Sequence, residues 1–233
     1  MNREKIAKPI SNLVIIVVVA FIAIFSGVGF STTTVSAKSG AIYNGTSENK
    51  VSLMVNVYWG GEFIDEMLDI FAQNGVKTTF FVGGTWVEKN EETLKKIVEY
   101  GHEIGNHGFF HKDHDKINFE RNREEIQATH ELVKAVCGVE MNLFAPPSGA
   151  YNETTLQVAQ NLGYATIMWS KDTIDWRDQD ENLIFKRATK NISGGDLVLM
   201  HPTRATVNTL DKIIKQILNQ NLTVAPVSEV IKN

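Results

Sequence analysis

From Lys50 onward the chain alternates between two hydrophobic rhythms. Short apolar runs at Val51 to Asn56, Thr78 to Val82, His102 to Asn106, Asn142 to Ala145, Ala165 to Trp169, Asp196 to Met200 and Leu222 to Ala225 read as strands. Between them, amphipathic stretches near Phe63 to Asn74, Asn90 to Tyr100, Asn118 to Val136, Glu153 to Leu162, Glu181 to Asn191 and Val207 to Asn219 read as helices. Leu94, Ile97 and Val98 give one helix its inward stripe, and Leu210, Ile213, Ile214, Ile217 and Leu218 give the last one its own. Asn90, Asn118 and Asn152 stand where N-caps belong, and Gly75, Gly101, Gly138 and Gly163 stand just past helix ends. Strict strand-helix alternation predicts a parallel sheet in an α/β fold. Seven strands are too few for a closed eightfold ring, so the pattern predicts an incomplete or distorted parallel (β/α) barrel.

Residues of catalytic type cluster at the ends of these strands. Asn56 ends the first, His107 follows the third, and Pro146-Pro147-Ser148-Gly149 follows the fourth. Asp172 and Asp175 follow the fifth and His201 the sixth, which is where a parallel barrel collects its functional groups around one mouth. His107 and His111 are four residues apart, and a helical turn between them would face both imidazoles one way, able to share a metal ion. Two hydrogen-bonded structural histidines would have the same spacing. Trp59, Phe109, Phe110 and Tyr151 fit either rim packing or sugar stacking. His102 reads as structural, and His130, on the polar part of a long helix, as solvated.

The first 37 residues are different in kind. Arg3, Lys5 and Lys8 precede an uncharged apolar run from Leu13 to Phe30, followed by small residues to Ala37. Basic flank, apolar run and small residues read as an export signal at 1–37, either cleaved or retained as a membrane anchor. Residues 38–49 are small and polar and read as a linker, which leaves 50–233 as one domain.

Charge narrows the partners. The chain carries 23 basic and 27 acidic residues; without residues 1–37, which hold three basic and one acidic, 20 face 26. That acidic excess argues against nucleic acid as a partner. The clusters Lys95-Lys96 and Arg121 to Arg123 read as solvated helix faces. The single Cys137 can form no intramolecular disulfide and reads as a buried apolar filler.

In order, Val51 to Asn56, the run Gly101-His102-Glu103-Ile104-Gly105-Asn106-His107 with His111, Phe144 to Gly149, Trp169-Ser170-Lys171-Asp172-Thr173-Ile174-Asp175-Trp176, and Leu197 to His201 resemble five motifs. They are those of the polysaccharide deacetylases, the NodB-homology family or carbohydrate esterase family 4. Asn56 to Glu62 is most similar to the PdaB-like sporulation branch, in which a Trp-Gly pair stands in the first motif. The resemblance implies a NodB-type barrel and metal-assisted removal of N-acetyl groups from N-acetylglucosamine in peptidoglycan or related polymers of cell wall or spore cortex. It implies a divalent metal, zinc by type, on His107 and His111, an oxyanion donor at the Ser148 backbone N–H, His201 as the acid and Asp175 as the carboxylate that holds it. Trp176, with Pro147 and Gly149, falls at the substrate.

Three positions depart from the family pattern. Asn56 stands where the family has its base aspartate, Val57 where most members have a metal-binding aspartate, and Ala145 where an arginine braces the base. An amide accepts no proton at neutral pH, so Asn56 is no general base. Catalytic zinc normally has three protein ligands, and only two histidines are in register; Glu62, Asp113 and His114 are nearby candidates for a third. The pattern leaves two readings: a wall-polymer deacetylase of weak or lost activity, and a non-catalytic glycan-binding pseudoenzyme.

Overall fold

The computed structural model describes residues 40–232. The export segment predicted at 1–37 lies outside them. Among the described residues no helix is long and apolar enough to cross a membrane.

Eight strands occur among the described residues: β1 (Lys50–Val57), β2 (Thr79–Val82), β3 (Glu103–Asn106), β4 (Leu143–Phe144), β5 (Ala165–Thr166), β6 (Lys171–Asp172), β7 (Leu197–Met200) and β8 (Thr223–Val224). All named pairings are parallel, in the order β5-β4-β3-β2-β1-β7-β6, with β8 on the start of β1. No pairing joins β5 to β6, so the barrel is open there. The predicted strand from Ala165 to Trp169 ends at Thr166, and Lys171–Asp172, expected as loop, pairs with β7 instead.

The gap is bridged by a segment that composition assigned to a linker. Ile42 pairs with Ile167, Asn44 with Asp196, and Thr46 and Ser47 donate backbone N–H groups to the Val230 carbonyl. Gly45 lies so close to Val230 that a Cβ would stand 2.2 Å from its carbonyl oxygen. Residues 42–47 are thus part of the barrel's seam. A polar sequence makes such contacts through its backbone, which leaves no trace in hydropathy.

The helices are α1 (Ile64–Gln73), α2 (Gly84–Val87), α3 (Glu91–Glu99), α4 (Phe119–Cys137), α5 (Glu153–Asn161), α6 (Glu181–Thr189), α7 (Arg204–Leu218) and α8 (Val227–Ile231). Asn118 and Asn152 cap α4 and α5 with their side chains, the latter in a capping box with Thr155. Asn90 does not cap α3; its amide donates to the Trp86 carbonyl. The α6 cap is Asp180, whose carboxylate accepts from two backbone N–H groups.

Strand alternation divides the core in two. Val51, Leu53, Val55 and Val57 of β1 face the cluster packed by the helices, whereas Met54 faces the barrel interior with Phe81, Leu143, Ala145, Leu197 and Leu199. With both faces covered, β1 is buried from Val51 to Val57. Position 56 therefore opens on the interior and its mouth, and position 57 on the helix layer.

Several polar groups away from the mouth are structural. His102 is buried; its Nδ1 accepts from the Thr78 backbone N–H, and burial pushes its pKa down to about 4. His130 is not a solvated residue: it contacts the Tyr164 hydroxyl at 2.6 Å and Glu140 at 2.9 Å. Cys137 is half-buried, and burial raises its thiol pKa.

Candidate functional site

The strand ends converge on a cavity of about 580 Å³ lined by Asn56, His107, His111, Ser148, Gly149, Asp172, Trp176 and His201, with Tyr58, Trp59, Trp169 and Leu199. The residues expected to bind or react thus share one mouth, except for Pro147 and Asp175, which are buried and do not line it.

His107 is held by its backbone N–H on the Val82 carbonyl and by Nδ1 at 2.7 Å from the Ala145 carbonyl. A carbonyl only accepts, so Nδ1 carries the proton and Nε2 keeps its lone pair, the tautomer a metal ligand needs. Burial, and secondarily His111, holds His107 well below the ordinary histidine pKa, and burial lowers His111 as well. Their rings lie 5.1 Å apart at 75°, T-shaped.

The pairing is not produced by the helical turn that four-residue spacing predicts. Gly108 (φ 69°) and His111 (φ 54°) both adopt left-handed backbone, and the loop between them folds His111 back toward His107. A clamp fixes that loop: Glu125 of α4, essentially inaccessible, accepts from the Phe109 and Phe110 backbone N–H groups at 2.8 and 2.6 Å and from Arg121 at 2.8 Å. Nothing near His111 in sequence announces a carboxylate from the following helix. Arg121, expected as a solvated cation, is the partner of that buried carboxylate.

The opposite side is a dyad. Asp175, fully buried, accepts from the His201 backbone N–H at 2.7 Å and His201 Nδ1 at 2.8 Å, and from the Thr206 hydroxyl. Those bonds fix both ring orientation and tautomer, leaving Nε2 as the imidazole's exchangeable position. Thr206 sits at the start of α7, whose N-cap is Thr203. Ser148 (φ 56°) and Gly149 (φ 66°) turn the chain over the mouth, and a Cβ on Gly149 would meet the Trp169 ring at 2.7 Å. Burial raises the pKa of Asp172, which caps the Ile174 backbone N–H.

The third side differs. Asn56 is buried at the mouth, and its Oδ1 accepts no hydrogen bond from the protein. Val57 packs in the helix-side core cluster, away from the imidazoles. Ala145 contributes its carbonyl to His107 and a methyl group to the interior. Among the described residues no three His, Cys, Asp or Glu side chains are placed to hold a metal ion. Glu62 is exposed, Asp113 pairs with Lys116, and buried His114 contacts Asn122 Oδ1 at 2.6 Å. None supplies the third ligand. The residues fit a pair of neutral imidazole ligands and do not complete a three-ligand catalytic site.

Comparison with known proteins agrees with this architecture. A sequence model of the polysaccharide deacetylase family matches residues 43–167. The protein YlxY of Bacillus subtilis is 35% identical over 209 residues, covering 89% of this chain and 66% of that protein. A peptidoglycan-N-acetylglucosamine deacetylase of Bacillus cereus is 34% identical over 161 residues, covering 67% of this chain and 58% of that protein. The chain thus spans less than two thirds of the length of either. A carbohydrate esterase family 4 pseudoenzyme from Bacillus anthracis superposes with a TM-score of 0.81 at 33% identity, over 84% of this chain and 70% of that one. A mutant of it with restored enzymatic activity gives the same TM-score at 32% identity, over 84% and 72%.

Proposed function

Because the chain belongs to the polysaccharide deacetylase family, we propose that it is an exported protein that holds an amino-sugar polymer of the peptidoglycan type in its barrel mouth and deacetylates it slowly or not at all. The observation that carries this reading is Asn56. A neutral amide that lines the cavity stands at the base position, and its Oδ1 is buried without a partner in the protein. An amide cannot take a proton from water, so this residue does not serve as the general base.

Two further features support it. The metal half-site lacks a third ligand, so metal affinity is weak, with zinc the natural probe for two imidazoles. A pseudoenzyme stands among similar structures, and a peptidoglycan-N-acetylglucosamine deacetylase among similar sequences. The basic and apolar segment within residues 1–37 supports export, either released or membrane-held, to the wall or spore envelope.

The alternative, a slow hydrolase, is favoured by the complete Asp175–His201 dyad. The test is paired measurement of binding and acetate release with N-acetylglucosamine oligomers and peptidoglycan at saturating zinc. Binding with release at background supports the glycan-holding reading. Multiple turnovers would establish the hydrolase, and neither binding nor release would overturn both.

A further inference from the structure

One aromatic side chain in the cavity has no part in deacetylation chemistry. Trp59 follows β1, and its ring lies parallel to the His201 imidazole in an offset stack, centroids 5.8 Å apart and planes 6° from parallel. The indole is nevertheless 45% exposed and lines the cavity. Its place is built into the backbone. Gly60 (φ 74°) sits against Pro202, where a Cβ would stand 2.1 Å from the carbonyl oxygen, so only glycine lets this turn lie on the His201-Pro202 segment. The other aromatic residues in question are committed elsewhere: Phe109 packs over Gly84, Phe110 lies under Arg121, and the Tyr151 hydroxyl is bonded to Tyr43.

We propose that Trp59 is a stacking platform for a pyranose ring of the bound polymer, and that it, more than the metal half-site, sets the affinity of the groove for glycan. The proposal rests on the reading that the groove takes an amino-sugar polymer and names the residue that recognises it. A pyranose presents a face of C–H groups whose removal from water onto a flat indole is favourable. Stacking on His201 holds the indole in place, so little side-chain freedom is lost when the sugar arrives. Both rings line the same cavity, so a sugar on Trp59 lies within the mouth that holds His201.

Calorimetric titration of the full chain with N-acetylglucosamine hexamer tests this, comparing wild type, Trp59→Ala and Trp59→Phe, with thermal melts as the folding control. Trp59→Ala should weaken binding about tenfold or more, as loss of a buried tryptophan anchor does, and Trp59→Phe should retain most of the affinity. Should Trp59→Ala fail to fold, Trp59→Leu, apolar but without a flat face, must show the same loss. Unchanged affinity in a folded Ala or Leu variant overturns the platform and leaves the glycan reading intact. Wild type that binds no hexamer at millimolar concentration overturns both.

Discussion

The two sides of the barrel mouth follow opposite rules. On the His201 side the buried polar groups are partnered: Asp175 accepts three hydrogen bonds, and the His201 imidazole is fixed in tautomer and orientation. On the Asn56 side the amide oxygen has no protein partner, position 57 is a valine turned into the core, and position 145 is an alanine. The losses are mutually consistent. Without the carboxylate a bracing guanidinium would be a buried charge with no counter-ion, which is strongly unfavourable. The departures from the family pattern are confined to one interacting cluster, beside one that is complete.

The contrast predicts unequal sensitivity to substitution. Asp175→Ala would strand the donors of His201 and Thr206, and we expect a loss of about 3 kcal/mol or more in denaturant unfolding. A loss under about 1 kcal/mol would mean that this side is not the rigid one. Glu125→Gln, which weakens the clamp on the Phe109 and Phe110 backbone and its pairing with Arg121, should cost about 1 to 2 kcal/mol and weaken zinc binding by His107 and His111. Unchanged zinc affinity would show that the clamp does not position His111.

Acid should act on the buried histidines. His102, at about 4, and His107, held low by burial, resist protonation when folded, whereas unfolded histidine takes a proton near 6.5. Below that value the unfolded state binds more protons, so stability falls as pH drops from about 6.5 toward 4 and is unaffected by these groups above 7. Melting curves across that range check the sign, and His102→Asn should flatten the slope. The smallest effect belongs to the Asn56 side: Asn56→Ala removes no hydrogen bond made within the protein and should change stability by less than about 1 kcal/mol.

Much of this was legible in the sequence. Periodicity located the long helices and most strands, because burial of one helix face or both strand faces imposes a repeat that composition records. The strand-end residues found the mouth, since a parallel barrel brings those ends together. What escaped depends on contacts distant along the chain or on backbone alone. The seam at Ile42 to Ser47 is made by backbone pairing, and the clamp on His111 comes from Glu125 on α4. Four-residue spacing found the histidine pair for the wrong reason, because the left-handed backbone at Gly108 and His111, and not a helical turn, brings the rings together. Trp59 was undecided between packing and sugar contact until its stack on His201 placed it in the cavity.

Acetate release from N-acetylglucosamine oligomers at saturating zinc, by wild type and by the triple variant Asn56→Asp, Val57→Asp, Ala145→Arg side by side, tests the central claim. The three changes supply together the base, the second aspartate and the bracing arginine that the family pattern carries at 56, 57 and 145. Each alone should do little, because such residues act as one unit. The account predicts wild-type release at background and measurable turnover by the triple variant. Wild-type turnover, or a folded triple variant that releases no acetate, would contradict the claim that the missing chemistry resides at those three positions.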